Sequence, residues 1–310
     1  MGKLCSKVAV LAFGVIFWYN VGKRDLMVVL CSVNLESSRT TMGKPLNIIV
    51  CGSLVPDPLQ TLEPVQTPQG PGLKNEQMLP SVLDPWAACA LYEAAALAKA
   101  RAGSKVTLVA VGPKAKLQQL MMTVAQKAPF QLVAVNAPAG GFTDAKETAA
   151  ELAKAISAIP GLDLSSTLLF GGCASASRDA GVTMQFVAEK LGITEFFNAV
   201  DELKVADDDS FTVLERVEGG QYLSSTCKGF PAAIGWATGS LPEPPNNPQT
   251  GMMNMRGIMP ALMKAPVANV GTGGISYASA EVPASKRDTV VKKDMSVDAI
   301  AAELVEWMKG

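Results

Sequence analysis

The sequence predicts an α/β fold: one doubly wound, mainly parallel sheet with an added hairpin and a C-terminal arm helix. Two observations carry this. Between Leu46 and Gly192, short apolar runs alternate with segments of helical composition, joined mostly by a few residues. After Gly192 the style changes, and two strand-like runs flank Gly219-Gly220 as in a hairpin. With 310 residues, 48% hydrophobic and 18% charged, the chain has ample material for a buried core.

The elements follow in order. Residues 1–41 stand apart as an N-terminal extension. Val8–Tyr19 is an uninterrupted apolar run of twelve behind Lys3 and Lys7, shaped like a signal-peptide core and short for a bilayer span. The extension holds five basic and two acidic residues, against 22 and 26 in the remainder, so the charge changes sign at Met42. Met42 is read as the working start, with an export or anchoring signal as the alternative. Asn47–Cys51 is the first strand, and the polar, Pro-rich stretch from Pro56 to Leu79 is too long for a plain connector. A helix opens with Asp84 as N-cap and Pro85 at its first position, and Gly103 lies just past its end. Strand Val106–Val111, helix Lys114–Lys127, strand Phe130–Val135, helix Ala145–Ile159, strand Ser166–Phe170 and helix Asp179–Leu191 follow. Phe211–Val217 and Tyr222–Thr226 form the hairpin, and Ala232–Ala237 is one more apolar strand. Gly239–Gly251 reads as a Pro- and Asn-rich loop before a Met-rich piece. Ser296–Met308 is an amphipathic terminal helix, capped by Ser296, with Ala299, Ile300, Leu304 and Met308 on one face.

Composition excludes several chemistries. There is no histidine, which removes Ser-His-Asp and Cys-His catalysis and the common His-ligated metal sites. A net charge of −1 argues against a nucleic-acid partner held by a basic face. The six cysteines, at 5, 31, 51, 89, 173 and 227, have no CxxC spacing, so neither a zinc site nor a redox dithiol is signalled. Scattered cysteines in a chain this long predict a reduced, intracellular protein.

Nucleotide signals are selective. No GxGxxG follows a strand and no P-loop pattern occurs. Gly271-Thr-Gly-Gly-Ile-Ser precedes no helix and reads as a turn. The stretch Gly171–Gly181 leaves a strand and enters a helix, at the sheet edge where doubly wound folds bind ligands. Its glycines permit close backbone approach, Ser175 and Ser177 offer hydroxyls, and a helix N-terminus favours an anion. The alternative is a plain strand-to-helix turn with Ser177 as the cap. Trp86 is either a core anchor or a stacking surface for a planar ligand. Glu215–Gly220 reads as an exposed hairpin with paired surface charges. Met252, Met253, Met255, Met259 and Met263 crowd one region, which suits adaptable partner binding or a helix core.

Together these pieces resemble the β subunit of electron transfer flavoproteins. IIVCGSLVPDP (48–58) is similar to the family's opening strand and turn, and DPWAACALYEAAALAKA (84–100) to its Asn/Asp-Pro-aromatic helix entry. VTLVAVGP (106–113), LERVEGG (214–220), FPAAIGWATGSLPEP (230–244) and RGIMPALMKAP (256–266) look like later family segments in the same order.

The resemblance implies a Rossmann-like sheet of the adenine-nucleotide hydrolase type over 42–266. It also implies a C-terminal arm and helix over 267–310 that contacts an α subunit. It implies FAD, held mostly by that α subunit, and an AMP in this chain. Carried over by position, the cofactor-binding residues would be Cys51, Asp84, Pro85, Trp86, Ala87, Val111, Gly172, Cys173, Ala174, Ser175, Ser177, Asp179, Gly181 and Thr183. The docking loop, about Gly239–Met255, would include Leu241, Glu243, Pro244, Met252, Met253 and Met255. Two departures matter. The nucleotide loop reads GCASASRDAG, where the family has Gly-Lys-Gln-Ala-Ile-Asp-(Asp/Gly)-Asp, which leaves open AMP, another nucleotide or a different pose. The hairpin's Arg-Glu order is reversed as Glu215-Arg216, and Gly220 to Pro231 is longer.

The expected function is an electron carrier rather than an enzyme. It would accept electrons from flavin dehydrogenases and pass them to a membrane quinone oxidoreductase, with no membrane insertion of its own. It would be cytoplasmic in a bacterium and in the mitochondrial matrix of a eukaryote. The alternatives are the FAD-binding subunit of a bifurcating complex and a stand-alone adenine-nucleotide module.

Overall fold

The computed structural model describes residues 43–67, 70–76, 78–138, 142–281 and 291–309. The N-terminal extension, including its apolar run, lies outside the described residues.

The central sheet has strands β1 (Asn47–Pro56), β4 (Ser81–Leu83), β5 (Lys105–Gly112), β6 (Gln131–Asn136), β7 (Thr167–Gly172), β8 (Phe196–Val205), β9 (Phe211–Val217), β10 (Gln221–Cys227) and β11 (Ala232–Trp236). Its order is β10-β9-β8-β11-β7-β1-β5-β6, with β4 added antiparallel on the far half of β1. Pairing from β6 through β8 is parallel, and β8-β9-β10 is antiparallel. Helices α1 (Pro85–Ala100), α2 (Lys114–Val124) and α5 (Pro248–Met263) pack with one face of the sheet, and α3 (Ala145–Ser157) and α4 (Thr183–Lys190) with the other. The apolar strand runs are buried because both faces are covered. Ile48 to Val50, Leu108 to Val111 and Leu168 to Phe170 are all in the core. This is the doubly wound, mainly parallel α/β fold expected from the sequence.

Four elements differ from expectation. The first strand runs on to Pro56 because β4 pairs with its second half through Leu54–Leu83 and Val55–Val82. Part of the Pro56–Leu79 stretch folds into a small ladder, β2 (Pro64–Thr67) against β3 (Gly70–Leu73). Strand β8 has no apolar run to announce it. It has a register shift against each neighbour, and Ala199 in it sits at φ +53°. Finally, the loop read over Gly239–Gly251 ends early, since Asn247 caps α5 through Gln249 N–H at 3.0 Å.

The hairpin forms as predicted, with Gly219 and Gly220 at φ +75° and +71° making the turn. The Gly271–Ser276 stretch is a turn, closed by Ile275 N–H to the Thr272 carbonyl. It also locks onto α3: Gly271 N–H donates to Glu147, and Asp144 N–H donates to the Gly271 carbonyl. The terminal helix α6 (Val297–Lys309) begins where Ser296 accepts from Ala299 N–H, and it buries none of its residues.

Candidate functional site

A cleft opens at the C-terminal ends of β1, β5 and β7. Its enclosed space is about 120 Å³, and about 930 Å³ is counted only with the open solvent at its mouth. Leu54, Val111, Leu152 and Met184 give it apolar walls, Ala87 belongs to α1, and Thr148 comes from α3. The cleft exists because parallel strands end together while their connections diverge to opposite faces of the sheet.

Asp84 holds one side together. It is almost fully buried and spans two elements. One carboxylate oxygen accepts from Trp86 N–H at 3.1 Å and caps α1. The other accepts from the Ser175 hydroxyl at 2.6 Å and from Ala176 N–H at 2.9 Å. Burial pushes its pKa up, and these hydrogen bonds pull against that shift. Ser175 is then committed: it donates to Asp84 and accepts from Ser177 N–H at 3.2 Å. The Ser175 and Ser177 oxygens also lie within hydrogen-bond distance of each other, at 2.9 Å. The serine turn therefore binds an internal carboxylate. Of the two hydroxyls read as free to donate, that of Ser175 goes to Asp84, while Ser177, among the described residues, bonds only within the turn.

The glycines serve packing. A Cβ at Gly172 would lie 2.5 Å from the Trp86 Cβ, and one at Gly171 would collide with the Met184 thioether. Close approach here is between α1, α4 and β7. Ser177 caps no helix either. Asp179 at φ +54° and Gly181 at φ +65° carry the chain away from helical geometry, and α4 starts at Thr183, later than expected.

That late start has a chemical consequence. No side chain caps α4, and Gly181 to Met184, which lead into its first turn, line the cleft, so the α4 N-terminus lies at the cleft wall. Arg178 lines the same cleft and forms no hydrogen bond or ion pair among the described residues. Two carboxylates on the α3 side are occupied: Asp144 caps α3 and Glu147 holds Gly271. An apolar slot thus ends in an unpaired guanidinium and a helix N-terminus, which together suit a ring-bearing anion.

Cys51, Asp84, Ala87, Val111, Gly172, Ala174, Ser175, Ser177, Gly181 and Thr183 come together around this cleft. The others do not. Pro85 is exposed at the first position of α1, and Trp86 is half-buried with its Cβ against Gly172. Cys173 turns toward β11, donating its N–H to the Trp236 carbonyl at 2.9 Å. Asp179 is an exposed turn residue whose N–H donates to the Ser175 carbonyl. The Cys51 thiol is pushed up to about 12 by burial, so it lines the cleft as a small apolar group. Arg178 was missed although its loop was singled out. The α3 residues Ala145, Thr148 and Leu152 carry no local signal, because only the crossover brings them there.

The docking residues divide into two parts. Leu241, Glu243 and Pro244 lie on a strap pinned along its length. Glu93 of α1 accepts Ser240 N–H at 2.7 Å and Leu241 N–H at 3.1 Å. Lys127 pairs with Glu243 at 2.5 Å and donates to the Pro244 carbonyl. Met252, Met253 and Met255 lie on α5, the first two exposed and Met255 packed against the core. The docking loop expected across Gly239–Met255 is therefore an anchored strap followed by a helix.

Among the described residues no group of acidic or cysteine side chains is placed to hold a metal ion, and no helix is long and apolar enough to cross a membrane. No individually curated protein gives a match. One family model does, described as an electron transfer flavoprotein domain, over residues 74–261.

Proposed function

Because the chain belongs to the electron transfer flavoprotein domain family, we propose that it is the β-type subunit of a heterodimeric electron carrier. In this reading it shares an FAD with an α-type partner, accepts electrons from flavin dehydrogenases and delivers them to a quinone oxidoreductase. It acts as a carrier, not as an enzyme. The FAD supplies the redox chemistry, and this chain contributes binding, shape and electrostatics. The matched span runs from before α1 to near the end of α5, so it includes the α1, α3 and α4 walls of the cleft, the strap and most of the Met-rich helix, while Cys51 and Leu54 of β1 lie before it.

The cleft would take an adenine nucleotide. The observation that carries this is the pairing of an apolar slot with unpaired Arg178 and the uncapped α4 N-terminus. The ring would lie among Leu54, Val111, Leu152 and Met184, and the phosphate would meet Arg178 and the amides of Thr183 and Met184. The Ser175 hydroxyl and Ala176 N–H are not offered to that phosphate, since Asp84 already takes both. This accounts for a loop sequence unlike the family pattern: the anion-binding role moves along the loop to Arg178.

The test is to purify the full chain with its α partner and quantify what denaturation releases. One FAD and one adenine nucleotide per heterodimer are expected. Two FAD per heterodimer would instead favour a bifurcating complex. Failure to form a flavin-bearing complex would overturn the carrier reading. Arg178→Ala should weaken nucleotide retention about tenfold or more, from loss of a charged hydrogen bond, with FAD content unchanged.

A further inference from the structure

Outside the cleft, the exposed faces of α2 and α5 are rich in methionine. Met252, Met253 and Met263 of α5 are 69%, 64% and 75% exposed, and Met122 of α2 is 61% exposed. Met121 and Met184, by contrast, are 0% and 5% exposed. Met122, Met252 and Met255 line one shallow groove with Gln126 and Arg256. The Arg256 guanidinium forms no ion pair or hydrogen bond among the described residues.

The helix beneath is fixed by contacts that involve no sulfur. Asn254 donates to the Ala125 and Ala128 carbonyls at 2.8 and 2.7 Å, and Asn247 N–H donates to the Gln126 carbonyl at 2.9 Å. Chemistry at the exposed thioethers can therefore change the surface while α5 stays in place.

We propose that Met122 and Met252 form a reversible sulfoxidation site in this groove, with Arg256 as the group that receives the sulfoxide oxygen, and that Met253 and Met263 oxidise as exposed α5 side chains outside it. The oxidant is hydrogen peroxide. The sulfur lone pair attacks one peroxide oxygen and the O–O bond breaks. An S–O bond forms, and the other oxygen leaves as water after proton transfer. Sulfur loses two electrons and the peroxide gains them. The product is polar, chiral and a strong hydrogen-bond acceptor, suited to an unpaired guanidinium. An apolar contact surface becomes a polar one, which would release any partner held there by apolar contact. Reduced flavins meeting oxygen produce peroxide, so the source of the oxidant rests on the electron-carrier reading; the site itself does not.

The experiment treats the full chain with dilute hydrogen peroxide, alone and bound to its α partner, and maps each methionine by peptide mass. In both samples Met122, Met252, Met253 and Met263 should gain one oxygen at least about tenfold faster than Met121 and Met184. Methionine sulfoxide reductases A and B, each specific for one epimer, should remove it. Arg256 should make the epimer ratio at Met252 or Met122 unequal, and Arg256→Ala should return it to equality, while Met263 stays equal throughout. Rates like those of the buried methionines overturn the site. So does tenfold protection in the heterodimer, which would make the patch a permanent subunit interface. Equal epimers at both groove positions overturn the role of Arg256. A complex without flavin would defeat the carrier reading and leave these readouts intact.

Discussion

The two halves of the sheet are stabilised by different means. From β6 to β11 the strands are parallel, covered on both faces and almost wholly apolar; every residue of β11 is buried. From β8 to β10 the strands are antiparallel, and most of β10 is exposed. What holds that half is largely polar. Arg216 grips Asp201 with two hydrogen bonds of 2.9 Å, and Thr238 and Tyr222 donate to the same carboxylate. Glu215 accepts from Asn198 N–H and the Ser225 hydroxyl. Solvent-facing polar bonds contribute little each, so the parallel half should carry the stability and the antiparallel half should follow it.

The largest test of that contrast lies at the centre of the parallel half. Phe170 is fully buried and packs edge-on to Trp236 with ring centroids 5.3 Å apart. Phe170→Ala should cost about 3–5 kcal/mol through lost burial and the cavity left behind. Chemical denaturation should show the midpoint falling with little change in slope. A loss below about 1 kcal/mol would mean the parallel half is not the stabilising core.

Two seams come next, and they sharpen the comparison by showing what joins the parts. Asp84→Ala removes the α1 cap and strands the Ser175 and Ala176 donors, at about 2–4 kcal/mol by denaturation. It should also loosen the cleft, read as lower nucleotide content. Arg101 ends α1 and reaches the other half. It pairs with Asp209 and donates to the Lys44 and Ala206 carbonyls. Arg101→Met keeps the apolar stem and should cost about 2 kcal/mol, less than a fully buried pair because Asp209 can rehydrate. Hydrogen exchange should then quicken at Ala206 and Asp209, while β1 and β7 stay protected.

The same contrast explains what was legible in the sequence. Buried parallel strands are written as apolar runs, so β1, β5, β7 and β11 could be read directly. The hairpin declared itself through Gly219-Gly220. Strand β8 did not, because Phe196–Val205 is half-buried, mixes Asn, Asp, Glu and Lys with its apolar residues, and shifts register. The site was legible wherever one chain segment carried it, as in the Gly172–Thr183 loop. It was not legible where tertiary structure reassigned a group. Asp84 consumes the serine donors from 91 residues away in sequence, and the crossover brings Thr148 and Leu152 to the cleft.

The smallest effect belongs to the exposed half, where the sign with pH is the informative part. Burial alone would raise the pKa of Asp201. The bonds from Arg216, Thr238 and Tyr222 outweigh that and hold it below the ordinary carboxylate range. A carboxyl depressed in the folded state stabilises the fold above its unfolded pKa, about 3.9, and loses that contribution as pH falls through the folded value. Arg216 is about half exposed, so the pair should contribute no more than about 0.5–1 kcal/mol at neutral pH. Arg216→Ala should therefore lower the denaturation midpoint slightly at pH 7. The gap to the parent should close below about pH 4, as Asp201 takes up its proton in both proteins. A gap of several kcal/mol at pH 7 would show that the polar network, rather than the parallel half, holds the hairpin in place. A gap that widened in acid would mean Arg216 acts on the fold through something other than Asp201.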